Sequence, residues 1–327
     1  MKSPEPSRSA AASPLRERDR RGRGATQTYA VLAFTMACWS GNAVAARLAV
    51  GEVSPMVIIS VRWAIVSILL ISLVPRRLPQ ALPELRRNAR RVILMGMMGF
   101  SLFNALFYVA AHHTTAVNMA ILQGGVPVFV VLGSIAVHRA RVGALQALGI
   151  AATLIGVAVV ATQGHLGTLA AFRLNFGDAL LLFACLLQAG YTLSLRDRPN
   201  VSSLVLFSAL ALVAFLTSLP LLAFEIAAGT VLWPTATGWS LLLFIALFPS
   251  FLAQLGYMRG VQMIGPGRAG LFNNLVPIFG AFLAVALLGE AFALYHLGAL
   301  VLVIGGILAA EAAGRRSAGA GAADRKD

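Results

Sequence analysis

The octapeptide SLFNALFY at residues 101–108 returns 149 residues later as SFLAQLGY at 250–257, with Ser101 on Ser250 and Tyr108 on Tyr257. The same shift carries Gly41 onto Gly190, Arg47 onto Arg196, Gly149 onto Gly298 and Gly156 onto Gly305. With one further residue it carries Pro127 onto Pro277. Shared hydrophobicity does not produce matches at the start, middle and end of so long a unit, so the chain reads as two copies of one module.

Each copy has the composition of a lipid-embedded segment. Of 327 residues 58% are hydrophobic and only 12% charged, roughly half the charged fraction of a soluble domain. One helical crossing uses roughly 20 apolar residues. Ten stretches qualify: 28–48, 55–75, 92–112, 115–137, 143–163, 178–196, 202–224, 238–260, 266–288 and 293–312. Backbone in hydrocarbon must satisfy its own hydrogen bonds, so these stretches are helices. The expectation is an all-α polytopic membrane protein of ten transmembrane helices, as two five-helix repeats at 27–163 and 164–313. The first apolar run is too long for a signal-peptide core and reads as an uncleaved span. Residues 1–26, rich in Ser, Pro, Ala and Arg, have too little apolar surface to fold and are expected to be a disordered basic tail. The tail at 314–327 has the same character.

Five is odd, so the second copy enters the membrane from the opposite side and the halves are inverted. That architecture places a substrate site near the bilayer midplane. Charge sets the orientation. Of the 26 Lys and Arg, all but Arg47, Arg62 and Arg173 fall in the tails, or in loops and helix ends on one side. That side is cytoplasmic, and both termini with it, as in a multi-pass protein of a bacterial-type inner membrane. The net charge of +14 is thereby explained by topology; no nucleic-acid motif accompanies it.

Polar groups within spans need partners or a wet cavity. Trp39, Asn42, Asn104, Gln123, Gln188, Tyr191, Gln254, Asn273 and Asn274 are candidate substrate-binding residues; the alternative for each is interhelical hydrogen bonding. Asn273 and Asn274 stand a turn before Pro277, which removes a ladder hydrogen bond, so Pro127 and Pro277 are expected helix kinks. Tyr108 and Tyr257, repeat partners that inversion places near opposite ends of a pathway, are gate candidates or interfacial tyrosines. Arg47 and Arg62 are expected to snorkel to the outer face, as anchors or to recognise a substrate carboxylate. Gly149 with Gly156, and Gly298 with Gly305, are expected to let the fifth and tenth spans pack closely. Cys38 and Cys185 read as small core residues. The 12 Asp and Glu fall in tails, loops or span ends, and the five His near the membrane boundaries. Nothing in this pattern supplies a catalytic constellation, a metal site or a cofactor site.

With these residues in place, the chain resembles the EamA-type branch of the drug/metabolite transporter superfamily. The likeness rests on Trp39-Ser40-Gly41-Asn42 with Arg47, on Pro55 and Arg62, and on NNLVPIFGAFLAVALLGEAFALYHLGALVLVIGG from Asn273, through Pro277, Gly289, Glu290, Gly298 and Gly305. It covers residues 28–312. The first copy departs from it, with Ala140 or Arg141 where the family has an acidic residue. The resemblance implies export of small metabolites, often amino acids, by alternating access. An amide-rich, net-neutral cavity suits a zwitterionic small-molecule substrate such as a neutral amino acid, moved by a uniporter or exchanger. Multidrug and nucleotide-sugar carriers are the alternatives within transport, and a membrane-embedded enzyme the alternative outside it.

Overall fold

The computed structural model of the chain describes residues 14–49, 51–111, 113–114, 122–139, 142–165, 167, 175–288 and 293–323. Helix α1 (Pro14–Leu48) leads to α2 (Pro55–Leu73) and a short amphipathic α3 (Leu78–Arg87). Helix α4 runs as Ala89–Gly96, a π-helical turn Met97–Ser101, and Leu102–Ala111. Then come α5 (Leu122–His138), α6 (Ala144–Ala161), α7 (Phe176–Ser194) and α8 (Ser203–Ala227). Helix α9 repeats the form of α4, as Ala236–Ile245, a π-helical turn Ala246–Leu252, and Ala253–Ile264. Helix α10 is Pro266–Leu271, a 3₁₀ turn Phe272–Asn274 and Leu275–Leu288, and α11 is Leu294–Ala323. No strand occurs among the described residues.

Six of these helices are long and apolar enough to cross a membrane, and Leu122–His138 and Leu294–Ala310 are shorter apolar helices. Large side chains such as Phe224 (76% exposed) and Leu294 (84% exposed) point outward, as they do on a surface solvated by lipid.

Three expectations are corrected here. Helix α1 begins at Pro14, so residues 14–26 are helical rather than without structure. Proline suits a helical first turn, and the Leu, Arg and Glu that follow are good helix formers once an apolar helix is there to extend. Helix α11 likewise continues through most of the carboxyl tail, to Ala323. The basic loop 76–91 contains α3, whose Leu85 is buried. The chain ends 1–13 and 324–327, residues 115–121 of the expected fourth span, Ala140, Arg141, Arg173, Gly289 and Glu290 lie outside the described residues, as does the Arg47 side chain.

The packing obeys the repeat. Helix α4 packs on α7 and α9 on α1; α5 packs on α7 and α10 on α1. The remaining major pairs, α2 with α8 and α6 with α11, join repeat-related helices to one another. This is the contact pattern of two modules related by a pseudo-two-fold axis. The π-helical turns fit it too, because Met97–Ser101 shifted by 149 residues falls on 246–250, within the second turn. Proline at Pro249 removes a ladder donor inside that turn, and Ser250 Oγ donates to the Ile245 carbonyl at 2.7 Å. In the first copy Ser101 Oγ instead shares a 2.7 Å hydrogen bond with Thr217 Oγ1 on α8.

The α6–α11 contact is backbone-close. A Cβ on Gly149 would stand 2.5 Å from the Gly306 carbonyl oxygen, and one on Gly306 would stand 2.5 Å from that of Gly149. Gly156 sits against Val303 and the Ala299 carbonyl. Gly298 and Gly305, expected in this seam, face open space; the adjacent Gly306 takes the role.

Candidate functional site

The two copies contribute repeat-related sets of polar side chains. Under the 149-residue shift Trp39 corresponds to Gln188, Tyr108 to Tyr257 and Asn42 to Tyr191, and with one extra residue Gln123 corresponds to Asn273. One set gathers where α9 and α10 pack on α1 and α7. The Trp39 ring lies 5.1 Å from that of Tyr257, and its indole N–H donates to the Pro249 carbonyl at 3.1 Å. The Tyr257 hydroxyl lies 3.1 Å from Thr192 Oγ1, with the Asn273 amide as a second side-chain partner. Gln254 Nε2 donates to the Tyr191 hydroxyl at 2.6 Å.

Local chain geometry aims these groups. The 3₁₀ turn at Phe272–Asn274 changes the helical pitch just before Pro277, so the two adjacent asparagines project from irregular backbone. Ser40 Oγ donates to the Val276 carbonyl at 2.6 Å, which fixes α1 beside that break. In α5 the helix is interrupted at Gly125, two residues before Pro127. Gly99, in the first π-helical turn, is indispensable to the packing of Tyr191, because a Cβ there would stand 2.5 Å from Tyr191 Cγ.

The other set is not self-satisfied. Among the described residues, Gln188 Oε1, Tyr108 OH and Asn42 Oδ1 are buried with no hydrogen-bond partner, as are Asn273 Oδ1 and both amide atoms of Asn274. A buried polar group left unpaired costs about 1–3 kcal/mol, so such a concentration makes this the candidate binding site. Asn104 does not take part: its amide nitrogen donates to the Phe100 carbonyl of its own π-helical turn. Gln123 is half-buried on α5.

Tyr257 is fully buried within the polar cluster. One placement differs from expectation. Arg62 does not snorkel. It is 5% exposed, its guanidinium lies 4.9 Å from the Trp63 ring centre, and the Tyr108 side chain is close by. The signal for it was present, an arginine two turns inside a span with no acid at matching spacing. Which way it points depends on its neighbours: α2 packs on α8 and on the second π-helical turn, which leaves that face of α2 without a route to lipid. Its counterpart in the second copy is Ala211.

Acidic groups stay peripheral. Asp178 is the only buried acid among the described residues; it closes a capping box with Asn175 at the start of α7 and accepts from Thr114. Glu52 and Glu225 accept from Thr235 and Ser54, joining the α1–α2 loop to the α8–α9 loop and to the end of α8. Both cysteines are buried and free, and no metal-binding group of His, Cys, Asp and Glu occurs among the described residues.

A model of the EamA-like transporter family matches residues 27–162 and, separately, residues 175–310. The chain belongs to the EamA-like transporter family. It is 29% identical over 236 residues to the uncharacterized transporter YyaM of Bacillus subtilis (strain 168), covering 69% of this chain and 74% of that protein. To the uncharacterized transporter YetK of the same organism it is 27% identical over 281 residues, 85% of each. A solved crystal structure, 17% identical, superposes with a TM-score of 0.74 over 89% of this chain and 98% of that one, which is a likeness of fold. This EamA-like protein is thus a multi-pass membrane transporter with two family repeats, and the polar cluster between them is its candidate substrate site.

Proposed function

We propose that the protein exports small net-neutral polar metabolites, neutral amino acids first among them, by alternating access, as a uniporter or exchanger. In this reading ten spans cross a bacterial inner membrane as two inverted halves, with both termini cytoplasmic. The observation that carries it is the set of orphaned buried oxygens: Asn42 Oδ1, Gln188 Oε1, Asn273 Oδ1 and Asn274 Oδ1. These are acceptors, the partners an ammonium group needs, and they project from helices of both halves at interrupted or closely packed segments. A carrier of lipophilic cations would want a buried carboxylate in the same place, and the one buried acid among the described residues is committed to capping α7.

Counterflow tests the reading. Purified protein in liposomes preloaded with unlabelled amino acid should take up the labelled form of at least one neutral amino acid well above protein-free liposomes. A full panel of neutral amino acids with no uptake above that background would sink the substrate assignment.

A further inference from the structure

We propose that Arg62 is the carboxylate-binding residue of the transport site, so that the substrates of this protein carry one negative group. The inference rests on the transport reading above, though not on its choice of amino acids.

Arg62 is the only lysine or arginine buried among the described residues. A guanidinium stays ionised under any condition a cell offers, and an uncompensated buried charge is among the costliest features a protein can keep. Compensation here is incomplete. Arg62 makes no ion pair or hydrogen bond with the described residues, and its Nε is fully enclosed without an acceptor. The flat face is covered by Trp63, which favours the cation but accepts no hydrogen bond. The Trp63 N–H likewise has no partner among the described residues, nor has the Tyr108 hydroxyl. Three neighbouring residues therefore present unused donors and no acid.

The position is not arbitrary. Trp63 meets Phe100 edge to face at 4.8 Å, and Phe100 meets Tyr191 at 5.1 Å, so the arginine is joined through packed rings to the Tyr191–Gln254 pair. It also breaks the repeat, since Ala211 stands at the corresponding point of α8. Tyr257, Tyr191, Gln254 and Trp39 find partners in one another and in Thr192 and Pro249. Tyr108, close to the added cation, finds none among the described residues. A planar guanidinium matches a carboxylate through two parallel N–H donors, and a single positive charge balances one negative charge rather than a diphosphate. The orphaned amide oxygens are left to receive the substrate's own donors.

The test compares L-alanine, L-threonine, L-leucine and L-phenylalanine with their primary amides, and with propionate and 3-phenylpropionate, in liposome counterflow. Wild type should move the acids at least tenfold faster than the amides. Arg62→Gln should lose roughly tenfold or more on the acids, as expected for a lost charge-assisted hydrogen bond, and bring the acid-to-amide ratio near one. Arg62→Lys should retain part of that ratio, and monodispersity on gel filtration would show the variants folded. Amino acids and amides moving equally in wild type would overturn the carboxylate site and leave amino-acid transport standing. So would an unchanged ratio in Arg62→Gln. Movement of the simple carboxylates alone, abolished in Arg62→Gln, would uphold the site and remove the amino-acid assignment. No movement of any probe by wild type would overturn both. The acid-to-amide comparison in wild type needs no variant, so misfolding of Arg62→Gln cannot rescue the proposal.

Discussion

Asn273 and Asn274 show how much one irregular turn does at the scale of single residues. In a regular helix adjacent side chains diverge by about 100°; in the 3₁₀ turn they leave unpaired oxygens buried close to Tyr257. Replacing both by Ala removes these groups without adding bulk. Transport should fall at least several-fold while membrane expression stays near normal, as read by counterflow and immunoblot; wild-type rates in the double variant would exclude the pair from the site. Gly99 acts by absence of a side chain. Gly99→Val drives methyl groups into the Tyr191 ring, displacing the phenol that accepts from Gln254. Overpacking of this kind costs about 1–3 kcal/mol, so thermal unfolding in detergent should shift down by several degrees. Gly143→Ala, with nothing within 4 Å of the new carbon, should be silent in the same assay.

Between elements, the α6–α11 seam shows what drives association once lipid has removed the hydrophobic effect between helices. Packing and backbone proximity remain, and they require small residues. Gly149 and Gly306 approach carbonyl to Cα so closely that neither tolerates a side chain. Gly306→Val should therefore separate the helices and lower yield and melting temperature, whereas Gly298→Val, on the open face, should leave both unchanged. Equal damage from the two would mean the seam is not where the structure places it. The paired π-helical turns belong to this scale as well. Each sits at the middle of a repeat-related helix, where an extra residue per turn shifts the facing of everything after it: Asn104 and Tyr108 in α4, Gln254 and Tyr257 in α9.

For the whole molecule, topology and energetics are open to direct measurement. Both native cysteines are buried, so single cysteines introduced elsewhere can be labelled over a low background. Positions 173 and 225 should react with an impermeant maleimide in intact cells, and positions within 76–91 should not; labelling of the basic stretch from outside would reverse the orientation. Energetically, a proton-coupled carrier needs a titratable group reachable from both sides. Asp178 is held in a capping box, and His296 Nδ1 sits against the Ala293 backbone at the start of α11. Arg62 cannot release its proton. An imposed pH gradient without a substrate gradient should give no sustained accumulation in liposomes. Accumulation that collapses with a protonophore would reveal a coupling group in this bundle.

Much of this protein is present in one dimension. A run of apolar residues specifies a lipid-embedded helix, because hydrocarbon leaves the backbone no other way to satisfy itself. A recurring octapeptide specifies two copies of one module, and the prolines at Pro127 and Pro277 mark where a helix ladder loses a donor. Facing is different, because it depends on helix rotation, on local pitch and on which neighbour arrives. The sequence offers Gly298 and Gly305 for the tenth-span seam, and only packing against Gly149 puts their neighbour Gly306 there instead. It holds Arg62 as a long side chain free to snorkel, and only the closure of α8 and the second π-helical turn around α2 denies it that route. It places Tyr257 at an end by symmetry, and only the meeting of α1, α7 and α10 encloses that hydroxyl. Hydrophobicity and repetition are summed along the chain; enclosure is made by residues far apart in sequence, and it exists only once the helices have packed.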